Sequence, residues 1–413
     1  VPKPARTAAL SAALLAVALA PASAAHAVEV TPGPAPVQVD ALRWVDGQPR
    51  LETRTAPGPA AAARLVTALE RDPAVSDAQP RTTYAVTPPT TAPGTAPLRR
   101  ALLGTDPYLR YAYHLTSVDA YAAWTVTRGA GVKVAVLDTG VDATQPDLAG
   151  RVVPLGNFTT EAATTIGEHG TEVATVIAGA YQNSVGAAGV APEVTILAGK
   201  VCAVDGCASD AVVRGITAAV EAGADVVNLS LGGDTYNRTT AATIQWAIAR
   251  GVVVVASAGN SGDKGNPVEY PASYDGVVSV SASTSTGAAA TWAQHNSAVD
   301  LSAPGEAVPA GQPGTGGTYP YVAVSGTSFS GPQVAAAAAL LTAVAPAADV
   351  ATIEGWLKGT TTPQSWGPGY GTGMLDVAAA VQAAQAVPVP VQSAPVTVER
   401  GTRSPRHPVV VTG

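Results

Sequence analysis

Five near-continuous apolar runs, VKVAVLD, VTILAGKV, ADVVNLS, VVVVASAG and VVSVSAS, mark the stretch between residues 132 and 283. None alternates cleanly between apolar and polar positions, so each predicts a strand buried on both faces. Between them lie stretches with helical spacing of apolar residues, among them DAVVRGITAAVEAG and TTAATIQWAIARG. Strands alternating with helices predict an α/β fold, a parallel sheet covered on both faces. In such sheets ligands bind beyond the carboxyl ends of the strands. The pattern holds from about residue 106 to 387.

The chain upstream has a different rhythm. LRWVDGQPRLETR predicts strand–turn–strand, AAAARLVTALERDPA an amphipathic helix, and RTTYAV a further extended piece. These define a small α+β module over 28–86. The Pro/Thr-rich stretch TPPTTAPGTAP opens a linker over 87–105, and residues 388–413 form a Pro/Val-rich tail. The stretch SGTSFSGPQVAAAAALLTAV, residues 325–344, joins an awkward small triplet to a long alanine-rich helix. Ser328 in that triplet reads equally as a helix cap or as a reactive oxygen placed at a helix N-terminus.

Charge and composition narrow the function. A net charge of −7 without a basic run speaks against nucleic acid as partner. At the N-terminus, Lys3 and Arg6 precede the apolar run ALSAALLAVALA and the A-x-A-like ASAAHA. This is the layout of a signal peptide, residues 1–27, with cleavage expected after Ala27. Pro21 cuts the apolar run short of the ~20 residues a membrane span needs. A secreted, extracellular protein without membrane anchor is the expectation. The two cysteines, Cys202 and Cys207, can close a small disulfide loop in that oxidising setting.

A nucleophilic serine needs a base. Of the five histidines, His169 in GEHGTEVATVIAGA stands where glycine gives way to a helical pattern. Such a histidine needs a carboxylate to hold its tautomer. Asp138 ends the run VKVAVLD at the ligand-facing sheet edge, with Asp142 a weaker rival. Asn260, just past VVVVASAG, has an amide suited to donating to an oxyanion.

In the order Asp138, His169, Asn260, Ser328, carried by DTG, HGT, SLGG, SAGN and GTS, the chain resembles the subtilisin-like serine proteases. The resemblance implies a three-layer parallel sheet of about seven strands, with the triad Asp138, His169 and Ser328 and the oxyanion donor Asn260. It further implies a substrate-binding set of Ser230, Leu231, Gly232, Gly233, Ala258, Gly259 and Glu269. The module at 28–86 resembles the family's I9-like propeptide, implying a self-processing zymogen, while arginine far outnumbering lysine and Val1 where Met is expected point to a high-GC, actinobacterial source. AYQNSVGAAGVAP and QPDL resemble the family's calcium loop. They imply structural calcium on Asp147 and Asn183 with the carbonyls of Tyr181, Val185 and Ala187, and no cofactor for catalysis. Expected partners are polypeptide substrates and the chain's own propeptide as intramolecular inhibitor, the enzyme being a monomer. The residue before Tyr270-Pro271 is Glu269, where many relatives carry an uncharged residue. A carboxylate there implies a preference for Arg or Lys at the substrate's P1 position, with self-cleavage after Arg100 as its corollary. Glu172 and the stretch Ser330–Gln333 depart from the family pattern. The alternatives are a catalytically silent binding protein with this fold, or a processing protease like the mycosins of bacterial secretion systems. The first needs a lost triad residue, and the second a C-terminal membrane helix; the sequence shows neither feature.

Overall fold

The computed structural model describes residues 35–86, 95–98 and 106–386. The expected signal segment, Arg99–Arg100 and the tail lie outside the described residues.

The upstream module consists of strands β1 (Val37–Val45), β2 (Gln48–Ala56) and β3 (Val75–Pro80) with helix α1 (Pro59–Leu69). Asp46 and Gly47 both take positive φ, 52° and 72°, which closes the β1–β2 hairpin in two residues. Pro59 stands in the first turn of α1, where a missing N–H costs nothing. Val39, Ala41, Ala62, Leu69 and Ala78 form this module's own small core. Two short strands follow along the chain, β4 (Thr83–Tyr84) and β5 (Ala96–Pro97).

After the short helices α2 (Tyr113–Ser117) and α3 (Ala120–Ala123), the main sheet begins. Its strands are β6 (Lys133–Asp138), β7 (Val152–Asn157), β8 (Thr195–Lys200), β10 (Val226–Leu229), β11 (Val253–Ser257), β12 (Val277–Ser283) and β13 (Leu301–Pro304). Their order is β13-β12-β11-β10-β6-β8-β7, with every pair parallel. Alternate residues of β6 serve opposite cores. Val134 and Val136 join one cluster, while Ala135 and Leu137 join the other. The short strand β9 (Cys207–Ala208) and the hairpin β14 (Val308–Gly311) and β15 (Tyr321–Val324) lie outside the sheet.

Helices α4 (Glu168–Ala178), α7 (Thr327–Val344) and α9 (Val377–Ala386) cover one face, packing with α8 (Val350–Gly359). Helices α5 (Ser209–Glu221) and α6 (Arg238–Ile248) cover the other. The three layers and seven parallel strands are those expected. Helix α7 is buried from Thr327 to Leu341. Its alanines are apolar on every side, as befits a helix enclosed all round, and their small size lets neighbours approach closely. No helix among the described residues is long and apolar enough to cross a membrane.

The upstream module rests on α5 and α6. Arg81 pairs with Asp210 at 3.1 Å, Arg238 with Asp77 at 3.1 Å, and Trp246 Nε1 donates to Gly47 O at 2.8 Å.

Candidate active site

Strand β6 delivers Asp138 to the carboxyl edge of the sheet, fully buried. The edge belongs to the strand from which the chain runs out in both directions across the sheet, the place where α/β sheets bind ligands. His169 is the second residue of α4. Its Nδ1 lies 2.9 and 3.0 Å from the two oxygens of the Asp138 carboxylate. Gly170 makes this approach feasible, since a methyl group there would sit 2.2 Å from Gly140 O and 3.2 Å from Asp138 Cβ. Burial pushes the imidazole pKa down. The charge and hydrogen bond of Asp138, joined by the charge of Glu172, outweigh that, and the net shift is upward. Asp142 is engaged elsewhere, accepting from Thr144 and from Gly314 N–H. His169 Nε2 is buried without a hydrogen-bond partner among the described residues.

Ser328 is the second residue of α7, and Gly326, not the serine, occupies the N-cap position. The cap reading of Ser328 is thereby excluded. The His169 ring lies 5.5 Å, centroid to centroid, from that of Phe329, the next residue. Pro332, inside the first turns of α7, has no N–H for the carbonyl of Ser328 four residues back. Ser230 Oγ donates to that carbonyl instead, at 3.0 Å, and itself accepts from Asn228 Nδ2. Ser257 Oγ likewise donates to Thr327 O at 2.9 Å. The helix start is thus pinned to the ends of β10 and β11. Asn260 accepts at Oδ1 from both the N–H and the hydroxyl of Thr327, at 2.9 and 3.0 Å. With its oxygen end fixed on the nucleophile turn, the amide is oriented by the same residues that position Ser328.

A cavity of about 360 Å³ opens beside Ser328, lined by Ser230–Gly233, Gly259, Asn260 and Glu269 among others. Ala258 is buried just behind Gly259. Glu269 accepts at Oε1 from Gln294 Nε2 at 2.5 Å. Its Oε2 would lie 2.6 Å from a methyl group built on Gly232 or on Gly259, so glycine at both positions is what leaves this carboxylate room. Burial pushes the Glu269 pKa up, Gln294 opposes, and the charge of Asp234 adds to the rise.

The chain's own residues 83–85 enter this cleft. Thr83 and Tyr84 pair antiparallel with Ala208 and Cys207, and Ala85 exchanges hydrogen bonds of 2.8 and 2.9 Å with Gly232. An extended segment is therefore held between two backbone edges beside Ser328, the strand-addition mode of peptide binding. Tyr84 is buried, with its hydroxyl 3.1 Å from that of Tyr274. Cys207, its pairing partner, is joined to Cys202 in a disulfide.

The family model described as the Subtilase family matches residues 129–377, more than half of the chain. The chain belongs to the subtilase family. It is 38% identical over 263 residues to subtilisin DY of Bacillus licheniformis, covering 62% of this chain and 92% of that protein. It is 38% identical over 240 residues to thermitase of Thermoactinomyces vulgaris, covering 57% and 84%. Among solved structures, a protease from Pseudoalteromonas arctica superposes with a TM-score of 0.62 at 30% identity, over 68% of this chain and 99% of that one. This subtilase is a serine-type endopeptidase.

The two departures from the family pattern have visible roles. Glu172 is buried within α4 and accepts from Gln312 Nε2 at 2.8 Å. Gln333 donates to Pro304 O and Phe329 O at 2.6 and 2.8 Å, tying α7 to the end of β13.

The loop expected to hold calcium does close on Asp147. The carboxylate accepts from Asn183 Nδ2 at 2.8 Å and from Ala187 N–H at 3.1 Å, while Asn183 Oδ1 accepts from Val185 N–H. A methyl group on Gly186 would fall 1.7 Å from Asp147 Oδ2, so the loop can wrap this carboxylate only with glycine there. Burial raises the Asp147 pKa to about 7, and the charge of Asp106 contributes to the rise. Asp106, which sequence reasoning passed over, accepts from the N–H groups of Gln182 and Ser184 at 2.6 and 3.0 Å. The Asp147 carboxylate is oxygen chemistry suited to a hard cation, but the loop meets it with N–H donors, and Asn183 would have to turn its oxygen inward to ligate one. Among the described residues, no three or more His, Cys, Asp or Glu side chains gather in one place, so backbone carbonyls would have to complete any such site.

Proposed function

We propose that this subtilase is a secreted, self-processing zymogen in which Ser328 is the nucleophile, His169 the general base, Asp138 its orienting carboxylate and Asn260 an oxyanion donor. The observation that carries the reading is the bonded Asp138–His169 pair beside the Ser328 helix start, the His169 ring lying against that of Phe329, with the chain's own Thr83–Ala85 laid as a strand into the cleft that Ser328 lines. Ser328 Oγ attacks the scissile carbonyl as its proton passes to His169 Nε2. The imidazolium so formed is stabilised by Asp138. The tetrahedral oxyanion is met by Asn260 Nδ2 and by the positive end of α7. His169 returns the proton to the leaving amine. Water then hydrolyses the acyl-enzyme by the same route.

The inhibitor role of residues 28–86 is supported by the substrate-like pairing at Gly232, and the secretion by the N-terminal segment 1–27. Asn260→Ala tests the oxyanion role: kcat should fall by ~10²–10³ with little change in KM, because the donor acts mainly on the transition state. A raised KM with unchanged kcat would instead assign Asn260 to ground-state binding.

Glu269, half-buried at the cavity wall and without an ion-pair partner among the described residues, supports a preference for Arg or Lys at P1. A charge-assisted bond to such a side chain is worth ~1.5–3 kcal/mol, about 10- to 100-fold in kcat/KM. The preference should depend on pH in a stated direction. Glu269 titrates above the usual glutamate range, so lowering the pH protonates it and the Arg-to-Met ratio at P1 falls. Taking the ratio cancels the loss from His169, which affects both substrates alike. Glu269→Gln should give a low ratio at every pH. A wild type that favours Phe or Leu over Arg contradicts the assignment.

Structural calcium on Asp147, Asn183 and the carbonyls of Tyr181, Val185 and Ala187 belongs to the same proposal. EGTA should lower the midpoint of thermal unfolding, since an ion bound only by the folded state stabilises it. An unchanged midpoint after metal analysis shows the protein stripped would remove the site.

A further inference from the structure

We propose that the outer edge of β15 is a second strand-accepting site for extended polypeptide, filled in the unprocessed chain by the linker segment Thr95–Leu98. Strand β15 is paired on one side with β14, from Val308↔Val324 to Gly311↔Tyr321. On its other side it takes β5, with Ala96 opposite Ala323 and Pro97 opposite Val322. Leu98 N–H donates to Tyr321 O at 2.8 Å. Residues facing the partner alternate along an antiparallel strand, so Ala96 and Leu98 face β15 while Pro97 faces away. Proline is tolerated at that position, since its missing N–H would have pointed away from the ladder. A small–Pro–apolar triplet thus meets the edge without losing a bond.

The edge is well packed and leads directly to the Ser328 turn. Tyr321 stacks on Tyr108 at 4.6 Å and its hydroxyl donates to Gln145 Oε1, while Val322 and Val324 are buried. From Val324 the chain passes through Ser325 and Gly326 directly into the Ser328 turn. Uncovered, β15 would present a row of unpaired backbone groups there, a ready template for another strand. The same chain is paired at Gly232 through Ala85. The polypeptide is therefore clamped as a strand at two separate edges, one reached before residues 87–94 and one after. What composition alone marks as linker contains a docking strand, and inhibition of the zymogen is divided between the module and this segment. The division rests on the zymogen reading above; the pairing itself does not.

The test is hydrogen–deuterium exchange read by mass spectrometry on the full-length Ser328→Ala chain, which by the proposed mechanism cannot cut its own linker. The Ala323 amide, which faces Ala96 across the ladder, should exchange slowly in this parent. In Leu98→Pro and, separately, Ala96→Pro, each removing one N–H that faces β15, its exchange should accelerate by about tenfold or more. Amides of β10, β11 and the Ala85–Gly232 pair should keep the parent's rates, which also shows that the variants fold. Leu98→Ala, retaining the N–H, should match the parent. Equal Ala323 rates in the parent and both proline variants would overturn the proposal, as would fast exchange in the parent. Exchange needs no turnover, so a failed catalytic assignment shows instead as peptidase activity retained by the Ser328→Ala chain.

Discussion

Replacing Ser328 by Ala should lower kcat/KM on a peptide substrate by about 10⁶-fold, the loss typical when the nucleophile of such a triad is removed. The same change should leave the chain uncut, with residues 28–86 still attached. Its effect on the fold should be small. Ser328 contributes its backbone carbonyl to the Ser230 bond, and alanine keeps that carbonyl and the helix start. Kinetics, N-terminal sequencing and a thermal midpoint on one preparation separate these effects. A loss of activity accompanied by a collapsed midpoint would mean that the serine holds the turn and performs no chemistry.

Asp138→Asn should cost about 10⁴-fold in kcat while keeping nearly the same shape. Both carboxylate oxygens lie within 3.0 Å of His169 Nδ1. An amide presents one donor at that place. A donor at Nδ1 forces the ring proton onto Nε2, where it blocks acceptance of the Ser328 proton. The pH profile distinguishes this from simple distortion. Asp138 raises the His169 pKa, so its removal should move the acid limb of kcat/KM to lower pH. An unmoved limb with the same loss would point to misplacement of the ring.

The strands legible in the sequence were those enclosed on both faces. VKVAVLD, VTILAGKV and VVVVASAG became β6, β8 and β11, buried along most or all of their lengths. Strand β7 escaped because Val152–Asn157 lies at the sheet edge, half-exposed and interrupted by Pro154 and Gly156, which erases the continuous apolar run. Strand β13 is four residues long and ends in proline, too short for a periodic signal. The candidate catalytic residues were legible because strand ends and helix starts carry local signatures, glycine and small residues beside a polar group. Asp106 left no such mark, since its role is to accept backbone N–H groups from a loop more than seventy residues away in the chain. The pairing of Ala96–Leu98 with β15 was likewise hidden, because a strand added to an edge needs backbone groups and no particular side chains.

Labelling with a serine-directed peptidyl phosphonate, followed by peptide mapping, tests the catalytic assignment most directly. The processed protein should take up one equivalent, on Ser328, in step with the loss of peptidase activity, and Asp138→Asn should slow the labelling by orders of magnitude. Activity that persists with Ser328 fully modified, or a single adduct on another residue that abolishes activity, would contradict the account.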